Sequence, residues 1–139
     1  MLVRLADFAA DHGAIRRIRF AVFVDEQHVP ASLEMDERDP QCVHVLAIAD
    51  GEPIGTGRID LTHSGKIGRV AVLAAYRGMS VGTALMERLH DVAHTAGLGR
   101  VWCNAQATAV PFYARLGYRT TGNPFQEAGI EHIEMERFL

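Results

Sequence analysis

No stretch of the chain comes near the roughly 18–20 uninterrupted apolar residues that a helical membrane span requires, so no membrane partner is expected. Cysteine is scarce. Cys42 and Cys103 stand far apart and without CxxC spacing, which excludes a disulfide framework and a cysteine-based zinc site and fits a reducing compartment, the cytoplasm. A basic excess is also lacking: 14 Lys and Arg against 17 Asp and Glu give a formal net charge of −3. That excludes the basic stripe of a general nucleic-acid binder and is too small for an acidic tail. Repeats and low-complexity tracts are absent, and the opening MLVRLADFAADHG, with acidic residues and no long apolar run, does not read as a signal peptide.

What is present is the profile of one soluble globular domain spanning 1–139, 48% apolar and 22% charged. LVRLAD reads as a first strand. Asp11 is placed to cap a helix over about 13–24, with Ile15, Ile18, Val22 and Phe23 at helical spacing. Pro30 ends that region, and the acidic ASLEMDERDPQ reads as a loop or a short helix. CVHVLAIA and PIGTGRIDL flank Asp50-Gly51, a hairpin signal. KIGRVAVLA is a further strand, and Val81, Leu85, Leu89, Val92 and Ala96 mark one face of a helix over about 80–95, ended by Gly97 and Gly99. RVWCNA, a short helix in TAVPFYARLG, and two strands in YRTTG and IEHIEMERF, separated by NPFQEAG, complete the chain. The strand–helix–strand crossover over 66–104 predicts one parallel pair within a mixed, otherwise antiparallel α/β sheet carrying helices on both faces.

The segment AYRGMSVGTALM leads from a strand through Arg77, Gly78 and Gly82 into a helix. It is not GxGxxG, because Ser80 stands between the glycines, and it lacks the GK[ST] of a Walker loop. Helix N-termini carry unpaired N–H groups and the positive end of the helix dipole, which together favour an anion. The small residues Gly78, Ser80, Gly82 and Thr83 would let a phosphate reach the backbone, and Arg77 adds a charged donor. The plain alternative is a strand-to-helix turn with a serine cap and a solvated arginine.

RVAVLAAYRGMSVGTALM resembles the acetyl-coenzyme A segment of the GNAT N-acetyltransferase superfamily, a V-x-V strand followed by [QR]-x-x-G-x-[GA] and a long helix. PFYARLGYRTTG is similar to that family's second signature, FYxxLGF, in the same order and at matching spacing. FAVFVDEQHVP and FQEAGIEHIEM resemble the ElaA-like bacterial branch. The resemblance implies the GNAT fold, in which the parallel strand pair is splayed, and transfer of an acetyl group from acetyl-coenzyme A to a primary amine by direct attack.

It also implies residue roles. The main chain of Val70, Ala71 and Val72 would pair with the pantetheine arm, and an N–H near Val72 would face the developing oxyanion. Arg77, Gly78, Met79, Ser80, Val81, Gly82 and Thr83 would hold the pyrophosphate. Ser80 stands where the family has its first glycine; a serine can cap the helix and still offer its N–H. Gln106 takes the place of a cofactor-side asparagine, and Tyr113 that of the general acid that protonates the leaving thiolate. The base is open. The family's acidic residue is missing from RVWCN, and Glu26 and His132 are chosen from a set that includes His44 and Glu127, with ordered water as a competitor. Glu34, Asp36, Glu37 and Asp39 would line the acceptor side or form an ordinary solvated acidic loop. His90 and His94 are spaced like a zinc pair, but without the glutamate of that motif they read as a solvated helix face, and no metal is expected. The acceptor would be a small-molecule or peptide amine, and a homodimer is left open. A non-catalytic acyl-coenzyme A binding or sensing module is the rival reading.

Overall fold

In the computed structural model, which describes residues 1–139, a seven-stranded sheet runs in the order β1-β2-β3-β4-β5-β7-β6. Its strands are β1 (Leu2–Ala6), β2 (Val43–Ala49), β3 (Glu52–Asp60), β4 (Lys66–Val72), β5 (Arg100–Gln106), β6 (Arg119–Glu127) and β7 (Ile130–Phe138). Its helices are α1 (Phe8–Arg19), α2 (Ala31–Glu34), α3 (Val81–Thr95) and α4 (Val110–Arg115). No helix is long and apolar enough to cross a membrane.

Helices cover both faces, as the alternation along β2 requires. Leu46 packs with Ile15, Ile18, Val22 and Phe23 on the α1 side, while Val45 and Ala47 pack with Leu85 and Leu89 on the α3 side. α3 lies close on β3 because Gly55 and Gly57 carry no side chain there: a Cβ at either would come within 3.0 Å of Leu85 or Leu89. Of the helix face read from the sequence, Val81, Leu85 and Leu89 are buried; Ala96 is exposed, and Met86 and Ala93 complete the stripe.

Three local expectations are corrected. The first helix begins at Phe8, capped by Asp7, whose carboxylate accepts from the N–H of Ala9 and Ala10. Asp11 instead accepts from the Asp7 N–H and pairs with Arg4 at 3.0 Å. The end of that helix widens into a π-helical turn, Phe20–Glu26, with the Gln27 N–H reaching back to Val22 O. NPFQE is strand rather than loop. β6 runs through it because it is the edge strand, where Pro124 needs no partner and a register shift between Thr121 and Phe125 absorbs the irregularity.

β4 and β5 form the one parallel pair, registering only at Lys66↔Trp102 before they part. β4 is further distorted where two residues, Arg69 and Val70, oppose Gly57 of β3, with Arg69 at φ +52°. The sheet is therefore split along the inner edge of β4.

Candidate active site

A cavity of about 850 Å³ occupies this split and runs from one face of the sheet to the other. On the α3 side it is lined by Val81, Gly82, Phe112 and Tyr113. On the α1 side it is lined by Phe23, Gln27, Glu34, Gln106 and His132. Cross-strand register puts His132 opposite Gln106, on the same face, and Gln106 donates to Gln27 at 2.8 Å. Val70, Ala71 and Val72 line the cavity with an inner edge that no neighbouring strand pairs, as an extended ligand chain would need.

At one end lies the start of α3. Ser80 is the N-cap residue, but it sits in the left-handed region at φ +61° and its hydroxyl makes no cap hydrogen bond, contrary to the expected capping role. The first intrahelical bond is Ala84 N–H to Ser80 O, so the N–H groups of Val81, Gly82 and Thr83 remain free for an anion. Gly82 also lets Phe112 approach, since a Cβ there would stand 3.3 Å from the ring. Arg77 is not aimed freely at this cradle. Its guanidinium grips Glu26 at 2.8 Å and donates to Val72 O at 3.0 Å. Met79 is exposed beside the turn. The free N–H groups, the unpaired edge of β4 and the size of the cavity together fit a nucleotide-linked pantetheine thioester.

Tyr113 is buried, and its hydroxyl makes no hydrogen bond within the chain while the residue lines the cavity. Burial, with the neighbouring Cys103, raises its phenol well above the ordinary range, so it stays protonated. The Cys103 thiol itself is pushed up to about 12 by burial, with Glu134 adding to the effect.

The candidate proton acceptors separate. His132 is buried in the cavity wall, donates from Nδ1 to Ile130 O at 2.7 Å, and has Nε2 3.7 Å from Glu127. Glu26 lies outside the lining, ion-paired to Arg77. His44 is buried away from the cavity, stacked on Phe8 and bonded through Nε2–H to Asp39 O.

The acidic segment is no solvated loop, which corrects that reading. Asp39 and Glu34 are buried, Asp36 is half-buried, and only Glu37 is exposed. Asp39 pairs with Arg19 at 2.9 Å and Arg58 at 2.7 Å; Asp36 pairs with Arg58 and Arg69. Burial works against ionisation of Asp39, yet the bonds and charge of Arg19, the Asp36 N–H and Arg58 hold it down at about 2. Glu34 goes the other way. Burial lifts it to about 7 against the pull of Arg69, Arg19 and Arg58. In the sequence Glu34 is one of four acidic residues, with Asp36, Glu37 and Asp39, that either line the acceptor side or form a solvated loop, and nothing there separates it from them. The zinc-like pair also divides: His90 is buried against Tyr118 and Arg137, not on a solvated face, while His94 is exposed.

Residues 7–139 match the family described as the acetyltransferase (GNAT) domain. The uncharacterized N-acetyltransferase YjcF of Bacillus subtilis is 38% identical over 120 residues, covering 85% of this chain and 86% of YjcF. Protein ElaA of Escherichia coli is 34% identical over 130 residues, 89% of this chain and 85% of ElaA. The ElaA crystal structure superposes with a TM-score of 0.89 at 28% identity, covering 99% of each chain. An acyl-CoA N-acyltransferase from Pseudomonas aeruginosa gives 0.86 at 30% identity, again with 99% of each chain covered. The chain belongs to the GNAT acetyltransferases, in their ElaA-like branch, and is an acetyl-coenzyme A-dependent acyltransferase.

Proposed function

We propose that residues 1–139 act as one catalytic domain that transfers an acetyl group from acetyl-coenzyme A to a primary amine by direct attack. The observation that carries this reading is the cavity through the split sheet. Its thioester-side wall is the unpaired edge of Val70–Val72, and Tyr113 faces it without any partner of its own.

The bound cosubstrate supplies a thioester carbonyl and a thiolate leaving group. The main chain around Val72 offers an N–H to the carbonyl oxygen as charge gathers on it. The first-turn N–H groups of α3 hold the pyrophosphate, and Gln106 with Gln27 shapes the opposite wall. Tyr113 gives its proton to the departing sulfur. In water a phenol is a weaker acid than a thiol by roughly 1.5 units, which disfavours that transfer. In this cavity the low dielectric that keeps Tyr113 protonated would also make a departing thiolate more basic, which offsets that difference. Because Tyr113 does not ionise in the ordinary tyrosine range, no alkaline loss of activity should arise from it below about pH 10.

Free thiol release from acetyl-coenzyme A across a panel of primary amines tests this reading. Tyr113→Phe should lower kcat by about 10²–10³-fold with little change in the KM for acetyl-coenzyme A. Full turnover in that variant with an unaltered pH profile would remove Tyr113 from the chemistry. Coenzyme binding without thiol release for any amine would favour a binding or sensing module.

A further inference from the structure

Resting on the acetyl-transfer reading, we infer that the Glu34 carboxylate is the general base that takes the proton shed by the acceptor nitrogen. Three features of its position carry this assignment.

Glu34 lies on the face of the split sheet opposite Tyr113. It lines the cavity with Phe23 and His132 on the α1 side, whereas Tyr113 packs with the α3-side core. An amine approaching the thioester from the α1 side would meet Glu34, while the sulfur departs towards Tyr113. Arg69 then fixes the carboxyl next to the reacting strand. Its Nε is 3.3 Å from Glu34 Oε1, and the next three residues are Val70, Ala71 and Val72.

That arginine does not neutralise the carboxyl by hydrogen bonding. Its donors go to Glu34 O at 3.2 Å, Leu33 O at 3.3 Å and Asp36 at 3.2 Å. Oε1 of Glu34, in a side chain 3% exposed, has no hydrogen-bond partner at all. A purely structural buried carboxylate is normally satisfied, as Asp39 is by Arg19, Arg58 and the Asp36 N–H. Glu34 is instead left ready to accept a proton. Its burial-raised affinity, near pH 7, suits a base working at neutrality.

Its charged surroundings are Arg69 from β4, Arg19 from α1, Arg58 from β3 and Asp36 and Asp39 from its own loop, with His132 and Glu127 of the last hairpin across the cavity. His132 is the competing base, since its Nδ1–H is committed to Ile130 O and its Nε2 is free to accept.

The step balances. The C–N bond forms as the C–S bond breaks, the nitrogen's proton passes to Glu34, and Tyr113's proton passes to sulfur. Glu34 then releases its proton to solvent and Tyr113 regains one, leaving amide and thiol.

The test is the pH dependence of kcat for the full chain, with thiol release followed for two acceptors whose amine pKa values are about 8 and about 10. The wild type should show an acidic limb with a midpoint near pH 7 that stays in place when the acceptor is changed. Glu34→Gln should lose that limb and at least a hundredfold in kcat, while Glu34→Asp retains the limb. Coenzyme A affinity measured by calorimetry should be unchanged in Glu34→Gln, which shows the cosubstrate site to be intact. A Glu34→Gln enzyme that keeps the limb would overturn the assignment, as would loss of the limb in His132→Gln alone. A wild type that releases no thiol for any amine would instead overturn the acetyl-transfer reading, and the base with it.

Discussion

Arg77 and Glu26 close a two-pronged ion pair, with both terminal guanidinium nitrogens 2.8 Å from a carboxylate oxygen, beside the turn that leads into α3. The sequence had pointed one of these residues at a phosphate and the other at a substrate amine. The pair is worth little to stability, since the side chains are 46% and 37% exposed. On the proposed reading its effect lies in competition, because Glu26 neutralises the charge that a pyrophosphate at this turn would otherwise meet. Glu26→Gln should therefore leave kcat within about threefold and tighten coenzyme A binding, the gain shrinking as salt is raised. Arg77→Ala should raise the KM for acetyl-coenzyme A about tenfold with kcat retained, the mark of lost ground-state binding. Steady-state kinetics at two ionic strengths check both; a hundredfold fall in kcat for Glu26→Gln would return Glu26 to the chemistry.

Ser80 occupies a left-handed backbone position at the mouth of the same cradle, and its hydroxyl stabilises nothing in the helix cap. A non-glycine residue pays roughly 1–2 kcal/mol for that conformation, against about 0.4–1 kcal/mol of extra chain entropy that glycine loses on folding. Ser80→Gly should raise unfolding free energy by about 0.5–1 kcal/mol with coenzyme affinity equal or improved. Ser80→Val, β-branched at positive φ, should lower both. Urea melts and calorimetric titration with coenzyme A would decide this; destabilisation by glycine would show that the hydroxyl has a role the geometry does not reveal.

Asp39 holds two buried arginines, Arg19 at 2.9 Å and Arg58 at 2.7 Å, and its own carbonyl accepts from His44. Asp39→Asn should cost about 3–5 kcal/mol, because it leaves buried guanidinium charge uncompensated. The folded carboxyl is held below its unfolded value, so the unfolded chain binds the extra proton as pH falls. This contribution is present above the ordinary carboxylate range and disappears as pH drops from about 4 towards about 2. Chemical denaturation between pH 7 and pH 3 measures both effects. An Asp39→Asn protein as stable as wild type would mean that the arginines find other partners.

What the sequence disclosed was local. The Asp50-Gly51 hairpin, the crossover over 66–104 and the segments around Gly82 and Tyr113 are read from neighbouring residues. What it concealed depends on distant partners. Asp36 and Asp39 look solvated until Arg19, Arg58 and Arg69, 19 to 33 residues away, are folded against them. Glu34 stands out only once the fold buries its carboxyl with Oε1 left without a hydrogen-bond partner, while the same arginines bond Asp36 and Asp39. Asp11 looked the better cap because the apolar period starts after it; Asp7 wins because its carboxylate reaches two N–H groups while Asp11 is drawn to Arg4. Pro124 masked β6 because a proline forbids only a central strand, and edge position is not written in the pattern.

His90 bridges Arg137 and Tyr118 in the α3-side core. The Arg137 Nη1 donates to Nδ1 at 3.0 Å, which fixes the proton on Nε2, where it is shared with the Tyr118 oxygen at 2.6 Å. Burial, with Arg137 adding to it and Asp91 opposing it, lowers the imidazole to about 4. The folded ring thus stays neutral where the unfolded one, near pH 6.5, becomes charged. Between those values the unfolded chain binds more protons, so stability is full above about pH 6.5 and is lost as pH falls towards 4. The loss should reach about 3 kcal/mol relative to His90→Gln, in which it is absent. In a proton NMR titration the His90 ring should stay still between pH 8 and pH 5. A His90 midpoint near 6.5 would show that water reaches the Tyr118 contact and that this part of the core is wet.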